Sequence, residues 1–210
     1  MKKENDNFKP MLFSTPMVQA ILRDEKTQTR RIIKLHEDEK LEFDNYEYRK
    51  CFIIVGKNYI KRLKCQYKIG DILWVRETFQ ILPPNMVFYK ADTENKATGN
   101  WKPSIFMPRS ACRIFLKIKS IRIERLNDIS ESDAIAEGIT ELLQSRAQLA
   151  VNGKLFFDYS KKKELFNEGL TAKESYKTLW QKINGEKSWK ENPFVWVYEF
   201  ERSNASFACS

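Results

Sequence analysis

The segment RIFLKIKSIRIERL, residues 113–126, alternates apolar and basic side chains, with one interruption near Ser120. Strict alternation is typical of an antiparallel strand that buries one face and leaves the other in water. The segment therefore predicts one long bent strand, or two shorter ones, and with it an antiparallel sheet. On this interpretation Arg113, Lys117 and Lys119 form the solvated face.

Shorter segments with a similar composition predict further strands around this one. They are rich in β-branched and aromatic residues and are bounded by turn residues such as Gly56, Asn58 and Gly70-Asp71. These strands are expected at MLFS, RIIK, YRKCFIIV, NYIKRL, ILWVRETF, MVFYKAD and PFVWVYEF.

Three segments predict helices. Thr15 suits an N-cap and Pro16 suits the first turn of a short helix that ends near residues 23–25. In SESDAIAEG, Ser130 and Asp133 have the spacing of a capping box. AKESYKTLWQKING is amphipathic, with Tyr176, Leu179, Trp180 and Ile183 on one face. Together with the strands, these helices predict an α+β fold, or a small barrel decorated by helices.

The expected organisation is a single domain over residues 10–202, with flexible tails at 1–9 and 203–210. Residues 35–66 are a charged stretch that holds two of the predicted strands. Residues 141–172 show little pattern. Both segments are interpreted as insertions into the domain.

The chain of 210 residues is strongly basic, with 37 Lys and Arg against 28 Asp and Glu, a net charge of +9. This excess favours a polyanionic partner, RNA or a nucleotide; the alternative is a lysine-rich surface with no specific partner. No apolar run approaches the roughly 20 residues that span a bilayer. The segment MKKENDNFKP lacks the apolar stretch of a signal peptide, so a cytoplasmic protein without a membrane partner is expected.

Metal and disulfide chemistry are not expected. The four cysteines, Cys51, Cys65, Cys112 and Cys209, are scattered without a C-x-x-C pair, and the chain has one histidine, His36. Two disulfides are arithmetically possible, but nothing else in the sequence indicates export. The sequence therefore predicts neither a metal nor a cofactor.

The segment DEKTQTRRIIK, residues 24–34, places Lys26 and Thr29 just after the first predicted helix. His36 lies in a charged stretch, so a catalytic base would have to be another residue type. A buried lysine can activate a hydroxyl nucleophile, as in Ser-Lys hydrolases. Lys26 and Thr29 would face opposite ways on a regular strand. The pair therefore requires a turn, which a helix exit can supply.

Glu137 closes the second predicted helix, immediately before Gly138. A carboxylate there meets the negative end of the helix dipole, which raises its pKa unless a cation lies nearby. The position therefore favours a lysine partner. The alternative is an exposed glutamate that decorates a helix end and has no role.

Several motifs in order resemble an ASCH domain, a branch of the PUA-like superfamily of small β-barrels. They are E-K-T-Q-T-R-R, G-D-x-L-x-V, L-x-x-I-S-E-x-D-A-x-x-E-G and a final V-Y-E-F strand. The versions found in phages and prophages also share S-x-P-M-V-x-A-I-L, W-V-R-E-T and W-x-P-S-I-x-M-P-R. The resemblance covers roughly residues 10–34, 68–139 and 176–202.

One ASCH branch, the bacterial N(4)-acetylcytidine amidohydrolase, has its site in a K-T-x-T-x-R motif and a helix-end glutamate. The resemblance implies that Thr29 is the nucleophile, Lys26 its base and Glu137 the residue that orients the lysine and manages the proton. Two features depart from that branch. Asp24-Glu25 replaces the usual leading glycine, and this chain is about twice as long, so its insertions could reshape the pocket.

The remaining motif residues are candidate ligands for a nucleotide or RNA. Arginines can bind phosphate and aromatic rings can stack on bases; the candidates are Arg30, Arg31, Arg76, Arg109, Trp74, Trp101, Phe106 and Glu77. Two have structural alternatives, since Trp74 could belong to the core and Glu77 could pair with Arg31 or Arg76.

Three functions stay open from the sequence. The first is a hydrolase of acetylated cytidine or a related modified nucleoside, favoured by Lys26, Thr29 and Glu137. The second is a non-catalytic module that binds RNA or a modified base in the same pocket. The third is an ASCH-type ribonuclease. The net charge favours the last two, but a ribonuclease would more naturally show a histidine or an acidic metal cluster.

Overall fold

The long alternating segment lies at the centre of a five-stranded sheet in the computed structural model. The model describes residues 8–46, 49–92, 100–142, 153–161 and 169–203; side chains are described for these residues except 44–46 and 49–51. The strand order is β1-β6-β9-β10-β2, and only the β1–β6 pair is parallel. The ranges are β1 Phe8–Leu12, β2 Gln28–Ile32, β6 Ile72–Arg76, β9 Phe115–Arg125 and β10 Phe194–Arg202.

Strand β9 is one strand of 11 residues. Its register with β10 passes from Glu199 opposite Ser120 to Phe200 opposite Ile118, so Lys119 is the extra residue of a bulge. A bulge of this kind bends a strand and increases its twist. The predicted break near Ser120 is therefore where the sheet bends.

The sheet is open in the described part of the chain. Strands β1 and β2 are its two edges, and no backbone pairing joins them among the described residues. A side-chain bond crosses the gap instead, because a guanidinium nitrogen of Arg31 donates to the carbonyl oxygen of Leu12 at 2.7 Å. The α+β class is therefore confirmed, whereas the predicted closed barrel is not found.

A second sheet lies within residues 35–66. It contains β3 Lys40–Tyr46, β4 Arg49–Gly56 and β5 Tyr59–Arg62 in that order. Two of these strands match the prediction; β3 was not predicted, because its KLEFDNY sequence is too charged to stand out. Leu41 and Ile54 pack with Ile33 near the main sheet. A separate hairpin joins β7 Phe79–Leu82 to β8 Met86–Tyr89.

Four α-helices lie in the part of the chain that the structure describes: α1 Thr15–Leu22, α2 Glu131–Ala136, α3 Ala172–Asn184 and α4 Lys187–Lys190. The N-cap of α1 is Ser14, one residue before the predicted Thr15, since Thr15 is already helical. Ser130 caps α2 as predicted, its hydroxyl accepting from the Asp133 backbone at 3.1 Å. Thr171 and Glu174 form a complete capping box at α3.

The two faces of the main sheet bury different clusters. On one face, Tyr198 and Phe200 of β10 pack with Val18 and Ile21 of α1. On the other face, alternate β10 residues pack against α2 and α3. The free edge of β2 consequently lies between α1 and α3, and this edge is where the predicted motif residues meet.

Strand β1 begins at Phe8, so it takes in the last two residues of the predicted N-terminal tail. Residues 143–152 and 162–168 of the predicted second insertion lie outside the described residues.

Cys65 and Cys112 do not form disulfides. The side chains of Cys51 and Cys209 lie outside the described set. Within the described ranges, no helix is long and apolar enough to cross a membrane.

Candidate functional site

Five predicted site residues line one pocket of about 340 Å³ at the free edge of β2. They are Lys26, Thr29, Arg30, Arg31 and Glu137. This volume lies near the lower end of the range for small-molecule sites, about 300–1,000 Å³. The other lining residues come from α1, β2 and its extension, and α3: Met17, Ile32, Lys34, Tyr176, Leu179, Trp180, Ile183 and Asn184.

Lys26 and Glu137 form a buried ion pair, 111 residues apart in sequence. The Lys26 ammonium donates to Glu137 Oε2 at 2.7 Å and to the Glu137 carbonyl oxygen at 2.8 Å. Their side chains are 1% and 4% exposed, respectively. Burial lowers the pKa of Lys26 below its usual value, and the attraction of Glu137 opposes that shift. The predicted lysine partner of the helix-end carboxylate is therefore present.

The backbone at the exit of α1 turns Lys26 toward Glu137. Asp24 adopts a left-handed φ of 58°. The Lys26 amide then donates to the Ala20 carbonyl at 3.2 Å, and the Thr27 amide donates to the Ala136 carbonyl at 2.9 Å. Strand β2 starts directly afterwards and places Thr29 opposite Tyr198 of β10. The turn that the sequence required between Lys26 and Thr29 is thus supplied by the chain between α1 and β2.

Gly138 lets the end of α2 approach Lys26 closely. Its φ is +78°, in the region that L-residues avoid. A Cβ at this position would lie 2.7 Å from the Lys26 Cβ and 2.9 Å from the Ala20 Cβ. The Glu-Gly sequence at the helix end is therefore a packing requirement of the ion pair.

We expect Gly138→Ala to lower both stability and any activity of the pocket. Left-handed strain costs about 1–3 kcal/mol, and a displacement of Lys26 by about 1 Å can cost about 100-fold in rate. Urea unfolding and an activity assay measure the two effects. Gly70→Ala is the matched control, because Gly70 has a φ of +88° but nothing within 4 Å of the added Cβ. Equal losses in both variants would contradict the close-approach explanation.

Arg30 donates hydrogen bonds to three carboxylates. Its side chain is fully buried, and it donates to Glu137 Oε1 at 3.1 Å, to Glu124 at 2.9 Å and to Asp133 at 3.2 Å. The guanidinium also lies over the ring of Tyr176, 5.8 Å from its centroid. The prediction that Arg30 binds phosphate is therefore not supported by its contacts, which hold α2 against the sheet.

Thr29 lines the pocket and is 2% exposed. No hydrogen bond joins its hydroxyl to Lys26 among the described residues, so the structure brings the two residues into one pocket without direct contact. Hydrogen bonds between catalytic groups are often long in ligand-free enzymes and form only in the substrate complex. The geometry is therefore compatible with activation of Thr29 by Lys26.

Helix α3 supplies a wall of the pocket that the sequence indicated only as an apolar helix face. That face, Tyr176, Leu179, Trp180 and Ile183, lines the pocket. The indole nitrogen of Trp180 is buried there without a hydrogen-bond partner among the described residues. An unpaired buried N–H is costly, but this one has no surface open to the pocket. The amphipathic pattern identified this face, but an apolar stripe does not distinguish a core from a pocket wall.

Glu77 is a structural residue rather than a ligand. It is 1% exposed and accepts two bonds from the guanidinium of Arg113, at 2.9 and 3.0 Å. Arg113 also donates to Asp92 at 2.8 Å. Two predictions are therefore wrong. The partner of Glu77 is neither Arg31 nor Arg76, and Arg113 does not belong to a solvated strand face, because its guanidinium packs against Tyr89 and Glu77.

The other predicted ligands lie away from the pocket. Trp74 is half-buried beneath the guanidinium of Arg76, 5.3 Å from the ring centroid. Arg109 lies over the ring of Phe8 at 4.2 Å. Trp101 is half-buried and Phe106 is 68% exposed. None of these five residues lines the pocket. Arg76 lines a separate groove of about 910 Å³.

A cavity of about 1,250 Å³ beside α3 and α4 contains none of the predicted site residues. Its wall includes Lys161, Lys182, Lys187 and Lys190 together with Glu186. Lys161 is paired with Asp158 at 3.7 Å. This cavity is larger than the pocket at β2, but no buried ion pair lines it among the described residues. The pocket at β2 is therefore the better candidate site.

Among the described residues, no group of three or more His, Cys, Asp or Glu side chains is arranged to hold a metal ion. Comparison of the chain with protein-family models, with curated proteins and with solved structures gives no significant match in any of the three. The basis for a functional proposal is therefore the chemical groups of the pocket together with the sequence motifs.

Proposed function

We propose that the chain hydrolyses the acetyl amide of N(4)-acetylcytidine or a closely related modified nucleoside. The observation that carries this proposal is the buried Lys26–Glu137 pair, which lines the same 340 Å³ pocket as the Thr29 hydroxyl. Buried, charge-paired lysines in a cleft are candidates for acid–base chemistry. The ASCH-like motif residues supply the substrate class, and the pocket supplies the chemical groups.

Lys26 is held in a geometry that suits a base. Two of its N–H groups point to the Oε2 and carbonyl oxygens of Glu137. A neutral amine can make both bonds and still keep its lone pair at the remaining tetrahedral position. Because burial lowers the pKa of Lys26, the neutral form is more accessible than in an exposed lysine.

The proposed reaction proceeds in two steps. The Thr29 oxygen attacks the acetyl carbonyl carbon while its proton passes to Lys26, and the C–N bond then breaks as Lys26 returns the proton to the leaving cytosine amine. Water next attacks the acetyl-threonine ester, with Lys26 taking one of its protons. Acetate leaves, and the proton returns to the Thr29 oxygen. Glu137 orients the lysine and stabilises its charge between these transfers.

The pocket also offers an apolar wall for the base of the substrate. Leu179, Trp180 and Ile183 of α3 line it, and their side chains would contact the base. A mostly apolar pocket with a few polar groups is the usual arrangement for small ligands.

The fold is compatible with the proposed ASCH and PUA-like assignment. The motifs occur in the expected order, and most of them fall on α1, β2, β6, α2 and β10. The two edges of the sheet approach each other where Arg31 reaches the Leu12 carbonyl. These features support a barrel-like ancestry in which backbone closure is replaced by a side-chain bond.

A non-catalytic binding module is the second candidate. The specific observation in its favour is that Thr29 and Lys26 share no hydrogen bond among the described residues. The Lys26 ammonium instead donates two hydrogen bonds to Glu137. In this alternative the same pocket would bind a modified base without turning it over. A ribonuclease is a weaker alternative, since His36 is exposed and lies outside the pocket.

Substitutions at Thr29 test the nucleophile. Wild-type protein, Thr29→Ser and Thr29→Val are incubated with N(4)-acetylcytidine, and cytidine is measured by chromatography. We expect turnover by wild type, retention within about tenfold in Thr29→Ser, and a loss of about 1,000-fold or more in Thr29→Val, which keeps the shape but lacks the hydroxyl. Full activity of Thr29→Val would remove Thr29 from the mechanism, and inactivity of folded wild type would favour the binding module.

A further inference from the structure

A second depression adjoins the candidate pocket on the other side of β2. This groove, of about 910 Å³, lies between the two edges of the main sheet and the β3–β5 sheet. Arg31, Ile32 and Lys34 line both the pocket and the groove. A ligand that fills one can therefore extend into the other past these three residues.

The groove is lined by cations without carboxylates. Six basic side chains face it, and none of its lining residues is acidic in the part of the chain that the structure describes: Arg31, Lys34, Lys61, Arg62, Lys64 and Arg76. Lys61 is neutralised by Glu39 at 2.5 Å. The other five make no ion pair with any described residue. Their charge is therefore available to an anionic ligand.

Several basic residues of the main sheet and its helices are paired in contrast. Arg30, Arg113 and Arg122 each bind carboxylates, and Lys26 binds Glu137. The groove differs from these positions because it combines five basic side chains that have no carboxylate partner among the described residues.

Two arginines of the groove have unused donors. In each guanidinium one terminal nitrogen donates to a carbonyl oxygen, that of Leu12 for Arg31 and that of Ile105 for Arg76. The other terminal nitrogen makes no hydrogen bond with a described residue, whereas the buried Nε atoms are out of a ligand's reach. Each head group is therefore fixed in place with one terminal nitrogen available, an arrangement that suits phosphate oxygens.

The floor of the groove is apolar and aromatic. Trp196 is half-buried there beside Tyr198, with ring centroids 6.4 Å apart and planes within 23°. Ile54 and Leu63 complete the floor from the β3–β5 side. A basic rim above an aromatic floor is typical of proteins that bind single-stranded nucleic acid. The rim residues Arg62 and Lys64 come from the predicted insertion, outside the part of the chain that resembles ASCH domains.

We propose that this groove binds the phosphodiester backbone of a single-stranded polynucleotide and delivers one of its bases into the pocket. The substrate is then a modified nucleotide within a strand rather than a free nucleoside. This inference rests on the proposed function, since it specifies the form of the substrate at the same site. Arg31 and Lys34, shared by both cavities, would contact the phosphates that flank the inserted base.

Fluorescence anisotropy with a labelled 12-mer oligouridylate tests the groove directly, without turnover. We expect Arg62→Ala/Lys64→Ala to raise Kd about tenfold or more and to reduce the salt slope by roughly 1.4, about 0.7 for each lost contact with a single strand. The matched control is Lys187→Ala/Lys190→Ala in the 1,250 Å³ cavity beside α3 and α4, which removes the same charge elsewhere. Equal weakening in both double variants, or none in the groove variant, would overturn the proposal.

Further probes identify the polynucleotide. A 12-mer deoxyoligonucleotide distinguishes the sugar, and tight groove-dependent binding of either single strand supports the proposal. Duplex RNA that binds as tightly as the single strand would overturn it. Groove-dependent binding without turnover of any acetylated substrate would reject the proposed function alone. Turnover of the free nucleoside without groove-dependent RNA binding would reject this inference alone.

Discussion

Replacing Lys26 by methionine is expected to abolish hydrolysis of N(4)-acetylcytidine, with a loss of about 1,000-fold or more in kcat/KM. Methionine keeps most of the apolar stem but removes the amine that would accept the Thr29 proton. The fold should persist, because Glu137 retains its bond to Arg30 at 3.1 Å after the lysine is removed. Steady-state kinetics and far-ultraviolet circular dichroism measure the two properties.

The pH dependence of the wild type gives a second readout for Lys26. Burial lowers its pKa below the usual 10.5, and the active form is the neutral amine. The rate should therefore rise with pH as Lys26 loses its proton, and this rise should be absent from any residual activity of Lys26→Met. Lys182→Met, an exposed lysine outside the pocket, is the control and should keep wild-type kinetics. Substantial activity in Lys26→Met would contradict the proposed base.

The lowered pKa of Lys26 also makes the free energy of unfolding depend on pH. A lysine whose pKa is lower in the folded state binds fewer protons there than in the unfolded state, so the folded state gains stability as pH rises from the folded pKa toward 10.5. Relative to Lys26→Met, wild-type protein should therefore become more stable as the pH is raised through that window. Urea unfolding of both proteins over the alkaline range measures this difference.

Replacing Glu137 by leucine is expected to have the largest effect on stability, a loss of about 3–5 kcal/mol in the free energy of unfolding. One carboxylate neutralises both Lys26 and Arg30, whose side chains are 1% and 0% exposed. Removing it leaves two buried cations near each other, whereas removing Lys26 leaves a paired carboxylate. Glu137→Leu should consequently destabilise the fold more than Lys26→Met does.

Chemical unfolding monitored by tryptophan fluorescence tests this order. Glu141→Leu is the matched control, because Glu141 pairs with Lys154 at 2.9 Å with both side chains exposed. Exposed pairs contribute about 0–1 kcal/mol, so the control should lose little. Similar losses at positions 137 and 141, or a smaller loss in Glu137→Leu than in Lys26→Met, would show that the buried pair is not the electrostatic centre of the site.

Local patterns were sufficient for much of the fold. The alternation in residues 113–126 predicted one long bent strand or two shorter ones, and the structure has one. The capping residue Ser130 predicted the start of α2. The pairing of Glu137 with a lysine followed from an unfavourable helix-end charge, which is a local property of the sequence. These features depend on neighbours within a few residues, so no knowledge of tertiary contacts was needed.

The errors concern side chains whose environment is set by distant residues. Arg30 resembles a phosphate ligand in its motif, but carboxylates 94 to 107 positions away in the sequence surround its guanidinium. Arg113 begins the alternating segment, but it lies just before β9 and its guanidinium pairs with the buried Glu77. The α3 wall of the pocket and the groove beside the β3–β5 sheet likewise arise from packing between segments that are remote in sequence.

The central claim is that the pocket of Lys26, Thr29 and Glu137 hydrolyses an acetyl amide. Proton NMR of wild-type protein with N(4)-acetylcytidine tests this claim most directly, because it follows the acetyl methyl group itself and needs no variant. The proposed chemistry predicts that the amide methyl signal falls and the acetate methyl signal grows by the same amount. An amide methyl signal that stays constant in the presence of folded protein would contradict the claim.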